Sequence, residues 1–147
     1  MPLHRLPRAQ GFTLLEMLVV ILLIGVAAGL VGFGLQRGLH SAAERQALGL
    51  MVNSLRAARV QAIISGQPAR ARFDLRERSF QAPGKAAGHW PKDWNVRLQT
   101  AEGLGAAFEF YPSGGASGGN VLISRGERQW RVDVNWLTGA VNLRGLP

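Results

Sequence analysis

The chain divides into two parts that differ in the spacing of their apolar residues. An unbroken apolar block covers residues 12–35, and Glu16 is the one charged residue within it. From Leu39 to Ser65 the apolar residues instead recur at offsets of three and four, which is the spacing of one helix face. Gly66 and Pro68 then supply the residue types that end helices. The pattern predicts one helix from Phe12 to about Ser65, with a stripe to bury at Leu48, Met51, Val52, Leu55, Ala58 and Ala62.

The rest of the chain alternates with period two, which predicts short strands. The clearest case is residues 129–136, where Trp130, Val132, Val134 and Trp136 are predicted to share one face. Turns at Gly126-Glu127 and at residues 137–139 would pair this strand with its two neighbours. The predicted fold is α+β, with a meander of antiparallel strands on the C-terminal half of the helix, over residues 69–74, 94–98, 108–110, 121–123, 129–136 and 140–143.

Two segments have the composition of loops. Residues 83–91 are rich in Pro, Gly and Ala, and residues 112–120 contain four glycines. The second segment is not a phosphate-binding loop, because it lacks the lysine and the following helix that such loops require. We expect a flexible connection between strands there.

The N-terminal block has the length of a membrane-spanning segment. Its 24 residues would form a helix of about 36 Å, enough to cross a bilayer, whereas the apolar region of a secretory signal peptide has about 7–15 residues. Arg5 and Arg8 precede the block and Arg37 alone follows it closely. The positive-inside rule therefore predicts a single span with a cytoplasmic N-terminus.

Glu16 is the exception within the apolar block. A carboxylate in lipid without a partner is costly, so Glu16 either lies at the membrane interface without a role or pairs with a cation. Gly25 and Gly29 also allow two interpretations: close helix packing in the membrane, or flexibility, because glycine weakens a helix. The residues themselves leave both questions open.

The segment Gly11-Phe12-Thr13-Leu14-Leu15-Glu16, behind an Arg-bearing leader, resembles the class III signal of type IV pilin-like proteins. The resemblance implies that a prepilin peptidase cleaves between Gly11 and Phe12 and that Phe12 becomes N-methylated. It also implies that Glu16 pairs with the N-terminal amine of a neighbouring subunit during assembly.

Three further segments resemble the GspH/FimT family of minor pseudopilins and minor pilins: residues 55–62, 110–119 and 132–141. The resemblance implies a leader at 1–11, a transmembrane and filament-core helix at 12–36, and a periplasmic domain at 37–147. It implies a minor pseudopilin of type II secretion, held in the inner membrane and then incorporated at or near the tip of the periplasmic pseudopilus, where it helps to export folded proteins.

The same resemblance implies the partners. These are the major and other minor pseudopilins, the prepilin peptidase and the inner membrane, with the secreted substrate and the outer-membrane secretin as further classes. The Gly-rich loop is expected to contact partners through Ser113, Gly114, Gly115, Ser117, Gly118 and Gly119.

The composition of this 147-residue chain excludes several kinds of catalytic and metal-binding site. It has no cysteine, which excludes a disulfide framework, a thiolate zinc site and a cysteine nucleophile. Its three histidines are far apart without ligand spacing, and no Gly-x-Ser-x-Gly motif occurs. We therefore expect no cofactor, no metal and no enzymatic activity.

The net charge of +8 suggests acidic partners. Residues 37–78 hold eight arginines against three acids, so nucleic acid is an alternative partner. The family resemblance then implies the alternative function, a FimT-like minor pilin that binds DNA during uptake. The excess is spread over the helix and the strands, which favours a solvated basic surface. A plain single-span anchor that keeps its leader is a third possibility.

Overall fold

The computed structural model describes the backbone of residues 12–147, with the side chains of 12–30 and 42–147. The predicted leader, including Gly11, lies outside these residues. The described residues fall into two units, the first ending at Ser41 and the second covering Ala42–Pro147. The helix α1, Leu14–Ser65, belongs to both.

Both ends of α1 follow from local chemistry. Thr13 precedes the helix, and its Oγ1 accepts a hydrogen bond from the backbone N–H of Glu16 at 3.2 Å, which is the interaction of an N-cap residue. Gly66 follows Ser65 with φ 66°, the left-handed conformation that closes many helices. The predicted bounds of the helix are thus confirmed to within two residues.

The strands of the second unit form two four-stranded antiparallel sheets. The first sheet has the order β3-β2-β1-β5 and the second has the order β4-β6-β7-β8. The strand bounds are β1 Ala69–Asp74, β2 Ser79–Gln81, β3 Gly88–His89, β4 Asn95–Thr100, β5 Ala107–Phe110, β6 Gly119–Arg125, β7 Arg128–Val134 and β8 Val141–Leu146.

The fold class α+β is confirmed, but the single meander is wrong. β5 pairs with β1, in the register Ala69↔Phe110, instead of with its chain neighbour β4. β4 pairs with β6, so the connection between β4 and β5 passes from one sheet to the other. In addition, β3 lies inside the predicted loop at 83–91, because Gly88 pairs with Phe80 of β2.

The core of the second unit lies between the helix stripe and the two sheets. All six residues of the predicted stripe are buried. Phe108 and Phe110 of β5 are fully buried, as are Val121, Ile123 and Val132 of the second sheet. Phe73, Phe80, Trp90 and Phe108 form an aromatic cluster, with the ring centroid of Phe73 5.8–6.2 Å from the other three. Burial of this apolar surface stabilises the domain without any disulfide.

The predicted position of Trp136 is wrong. β7 ends at Val134, and the Asn135 side chain then forms a turn, its Oδ1 accepting hydrogen bonds from the backbone N–H groups of Leu137 and Thr138 at 3.0 and 2.9 Å. The turn interrupts the alternation of the strand, so Trp136 is 67% exposed instead of facing the core.

Candidate assembly and partner-contact surfaces

Two of the predicted site residues lie at the start of α1. Phe12 lies just before the helix and is 70% exposed, and Glu16 lies in the first turn, also exposed. An acidic side chain is favourable at this position because the helix N-terminus carries partial positive charge. No cation among the described residues forms an ion pair with Glu16.

The helix that follows exposes its apolar side chains on every side. All large apolar residues from Phe12 to Leu30 are exposed, from 41% at Val20 to 85% at Leu14. A surface of this extent is normally covered by lipid or by another protein. Space is open beside Gly25 and Gly29 as well, which is compatible with both interpretations of these glycines. Within the described residues, no helical stretch combines the length and the hydropathy needed to cross a membrane.

The Gly-rich loop is anchored on two sides. Arg59 Nε of the helix donates a hydrogen bond to the Gly114 carbonyl oxygen at 3.0 Å. The Ala116 N–H donates to the Trp136 carbonyl oxygen at 2.9 Å, which ties the loop to the turn between β7 and β8. Ser117 Oγ accepts a hydrogen bond from the Glu109 N–H at 3.1 Å. These hydrogen bonds hold the loop in a defined conformation, in contrast to the flexible connection that its composition suggested.

Close backbone packing explains why the loop is rich in glycine. Gly118 has φ 74°, and a Cβ atom there would lie 3.0 Å from Trp136 Cβ. Gly119 has φ 120°, and a Cβ atom there would overlap the Gln99 carbonyl oxygen. These conformations and contacts favour residues without a side chain.

Burial divides the six predicted contact residues into three groups. Gly114, Gly115 and Gly118 are buried, Ser117 and Gly119 are half-buried, and only Ser113 of the six is exposed. The adjoining Tyr111, Trp136 and Leu137 are 36%, 67% and 66% exposed. We call Ser113, Tyr111, Trp136 and Leu137 the loop-end surface. Sequence reasoning missed its aromatic part, although the Asn-Trp-Leu-Thr-Gly turn composition could have indicated it.

An ion cluster around a buried glutamate in the second unit was also missed. Glu44 of α1 is 4% exposed, and Arg125 and Arg128 each donate to its Oε2 at 2.8 Å. Arg125 also donates to Asp93 at 2.5 Å. These hydrogen bonds, the one to Asp93 first and the one to Glu44 second, raise the pKa of Arg125 above its ordinary value. The cluster fixes the β6–β7 hairpin to the helix.

The sequence itself contains a feature that indicates this ion cluster. Glu44 is the single acidic residue between Met17 and Ser65, and it lies four positions before Leu48, on the buried stripe. An acid on a buried helix face predicts a cationic partner.

A second ion cluster lies on β7 and β8. Asp133 accepts hydrogen bonds from Arg131 Nε at 2.7 Å and from Arg144 Nε at 3.0 Å. Partial burial raises the pKa of Asp133, but the hydrogen bonds from Arg144 and Arg131, with the charges of both arginines, outweigh it and lower the pKa below its ordinary value of 3.8. Among the described side chains, no group of three or more His, Asp or Glu residues could hold a metal ion.

Comparison with known families separates the two parts of the chain. The family model for the prokaryotic N-terminal methylation motif matches residues 6–32, which include Gly11, Phe12 and Glu16. The model described as type II transport protein GspH matches residues 47–139, more than half of the chain. The chain belongs to the GspH family.

One sequence relative and one solved structure are similar to this GspH-family chain. It is 36% identical over 137 residues to the type II secretion system protein H of Xanthomonas campestris pv. campestris, an alignment that covers 90% of this chain and 81% of the relative. The solved structure of the minor pseudopilin EpsH, from the type 2 secretion system of Vibrio cholerae, matches with a TM-score of 0.52 at 20% identity. That match covers 70% of this chain and 96% of EpsH. The family resemblance and the pilin-like α+β fold are thereby confirmed.

Proposed function

We propose that the chain is a minor pseudopilin of a type II secretion system. It would enter the periplasmic pseudopilus at or near its tip and help to export folded proteins across the outer membrane. The proposal is carried by one observation, the presence in a single chain of an N-terminal methylation motif at 6–32 and a GspH domain at 47–139.

The N-terminal part would be processed and then transferred from lipid to the filament. A prepilin peptidase would cleave between Gly11 and Phe12 and methylate the new amino group of Phe12. Before assembly, residues 12–36 would hold the chain in the inner membrane, with the N-terminus in the cytoplasm and residues 37–147 in the periplasm. The exposed apolar surface from Phe12 to Leu30 supports this path, because both lipid and neighbouring helices would cover it.

Glu16 would direct the assembly. Its carboxylate is exposed among apolar side chains, where an unpaired charge is unfavourable once water is excluded. The N-terminal amine of a neighbouring processed subunit would supply the opposite charge. Pairing would thus set the register of one subunit against the next.

The domain would act through contact rather than catalysis. Major and minor pseudopilins are its proposed neighbours, and the loop-end surface offers exposed aromatic and aliphatic side chains at Tyr111, Trp136 and Leu137. Aromatic residues of this kind are enriched in protein interfaces. The secreted substrate and the outer-membrane secretin are further proposed partner classes.

Complementation tests the function. In a strain that lacks this gene, the wild-type chain should restore secretion, and mass spectrometry should find a mature chain that begins at a methylated Phe12. Gly11→Ala should keep residues 1–11 and restore no secretion, because the peptidase site is lost. Gly49→Ala is the matched control, since space is open beside that helical glycine. Normal secretion without the gene, or with the unprocessed chain, would contradict the proposal.

A further inference from the structure

A pocket of about 720 Å³ opens between the end of α1 and the first sheet. Gln61 and Ser65 line it from the helix, and Arg70, Arg72 and Glu109 line it from β1 and β5. Its volume is in the range of ligand-binding pockets. None of the described residues proposed for assembly lines it, so it is separate from the surfaces described above.

The rim of the pocket is formed by a hydrogen-bonded turn. Lys85 N–H donates to the Ala82 carbonyl oxygen at 3.2 Å, and Gly84 within the turn has φ 68°. The Gln81 side chain donates to the Lys85 carbonyl oxygen at 2.9 Å, which fixes the turn to β2. Because the turn is held at both ends, the pocket exists before any ligand binds.

The charge of the pocket is unbalanced. Arg70 Nε donates to Glu109 Oε1 at 2.8 Å, and the Glu109 side chain is only 17% exposed. Arg72 lies on the same face of β1, two residues further, and it forms no ion pair with any described residue. The lining of the pocket therefore has two arginines and one carboxylate, with the exposed Lys85 next to the lining residue Gly84 in the sequence.

We propose that this pocket binds an acidic segment of a partner protein. Arg72 would hold a carboxylate of that segment in a bidentate pair, the geometry that a guanidinium favours. The carbonyl groups at the end of α1 carry partial negative charge, so the carboxylate is placed against β1 rather than against Ser65. Arg70 would contribute less, because Glu109 already occupies its Nε.

The lining favours a peptide over a nucleic acid. Proteins that hold single-stranded nucleic acids stack the bases on aromatic rings and follow the backbone with a basic groove. Among the residues that the structure describes, no aromatic side chain lines this pocket, and the Glu109 carboxylate at its wall would repel a continuous row of phosphates. A side-chain carboxylate can reach Arg72 singly, without approaching Glu109.

Fluorescence anisotropy with labelled hexaglutamate tests the proposal. The full chain, in a non-ionic detergent, should bind this peptide saturably and should not bind hexaglutamine. Arg72→Gln should weaken the binding about tenfold, as expected for loss of a charge-assisted hydrogen bond. Glu109→Gln should strengthen it, because Arg70 is released; circular dichroism checks that this variant is folded. Arg97→Gln is the control, an exposed arginine in the other sheet.

Three results would overturn the proposal. The first is absence of saturable hexaglutamate binding. The second is an equal loss of affinity in the Arg97 and Arg72 variants, which would indicate attraction by net charge alone. The third is equally tight binding of hexathymidylate with the same dependence on Arg72, which would assign the pocket to nucleic acid.

Discussion

At the scale of single residues, Glu44 combines deep burial with two cationic partners. Its carboxylate is 4% exposed, yet Arg125 and Arg128 compensate its charge from the β6–β7 hairpin. Arg128 also lies over the Trp130 ring, 5.5 Å from the centroid. One residue of the helix therefore orients a hairpin more than 80 positions away.

Replacement of Glu44 by glutamine should destabilise the domain. Glutamine keeps the shape but removes the charge, which leaves two arginines without their shared partner. We expect a loss of about 2 kcal/mol in the free energy of unfolding, measured by urea titration. Glu127→Gln is the control, since Glu127 is exposed in the turn of the same hairpin. Equal stability of the Glu44 variant and wild type would show that the cluster contributes nothing net.

Titration of Asp133 should make the free energy of unfolding depend on pH. Its folded-state pKa is lowered below the ordinary value of 3.8, so its stabilisation is present above that value and is lost as the pH falls through the lower, folded-state pKa. Asp133→Asn should therefore lower the urea midpoint at pH 7, and the difference from wild type should shrink below pH 3.8. Exposed Glu102→Gln should show no such effect. A difference that does not change with pH would rule out titration of Asp133 as the cause.

At the scale of secondary-structure elements, the β7–β8 turn connects the helix to the Gly-rich loop. Gly139 has φ 64°, and a Cβ atom there would overlap the Gly114 carbonyl oxygen and lie 2.8 Å from Arg59 Nε. The Gly139 N–H also donates to the Asn135 carbonyl oxygen at 2.8 Å. The position of Trp136 and Leu137 thus depends on the absence of a side chain at residue 139.

Replacement of two glycines by alanine should distinguish the cost of backbone strain from the cost of a steric clash. Gly126 has φ 57° with open space beside it, so Gly126→Ala should cost about 1 kcal/mol from its conformation alone. Gly139→Ala should cost about 3 kcal/mol, since the clash is added to the strain. Both values come from urea titration. If both variants lose the same free energy of unfolding, the Gly-rich loop must move away from the new side chain at residue 139 without an energetic cost.

The elements that could be predicted are those with a local signal. The buried stripe from Leu48 to Ala62, the helix end at Gly66 and the turn at Gly126 depend on neighbouring residues, and all are confirmed. The pairing of β1 with β5 depends on packing between distant segments, which periodicity does not encode. Trp136 was misplaced because Asn135 ends the strand through its own side chain.

At the scale of the whole molecule, the chain carries exposed surfaces of different chemistry. The apolar helix surface from Phe12 to Leu30 suits lipid and other helices, whereas the pocket at Arg72 suits a charged segment. The loop-end surface adds exposed aromatic groups at Tyr111 and Trp136. A protein that joins several neighbours in an assembly needs such separate surfaces, and this agrees with membership of the GspH family.

Assembly through Glu16 is the central claim, and immunoblotting of purified pseudopili tests it most directly. The processed wild-type chain should be present in the pseudopilus fraction. The Glu16→Leu chain should be absent from that fraction yet remain in the inner membrane, because leucine preserves the apolar helix but cannot pair with a neighbouring amine. If wild type is absent from purified pseudopili, or if both chains are present in equal amounts, the account is contradicted.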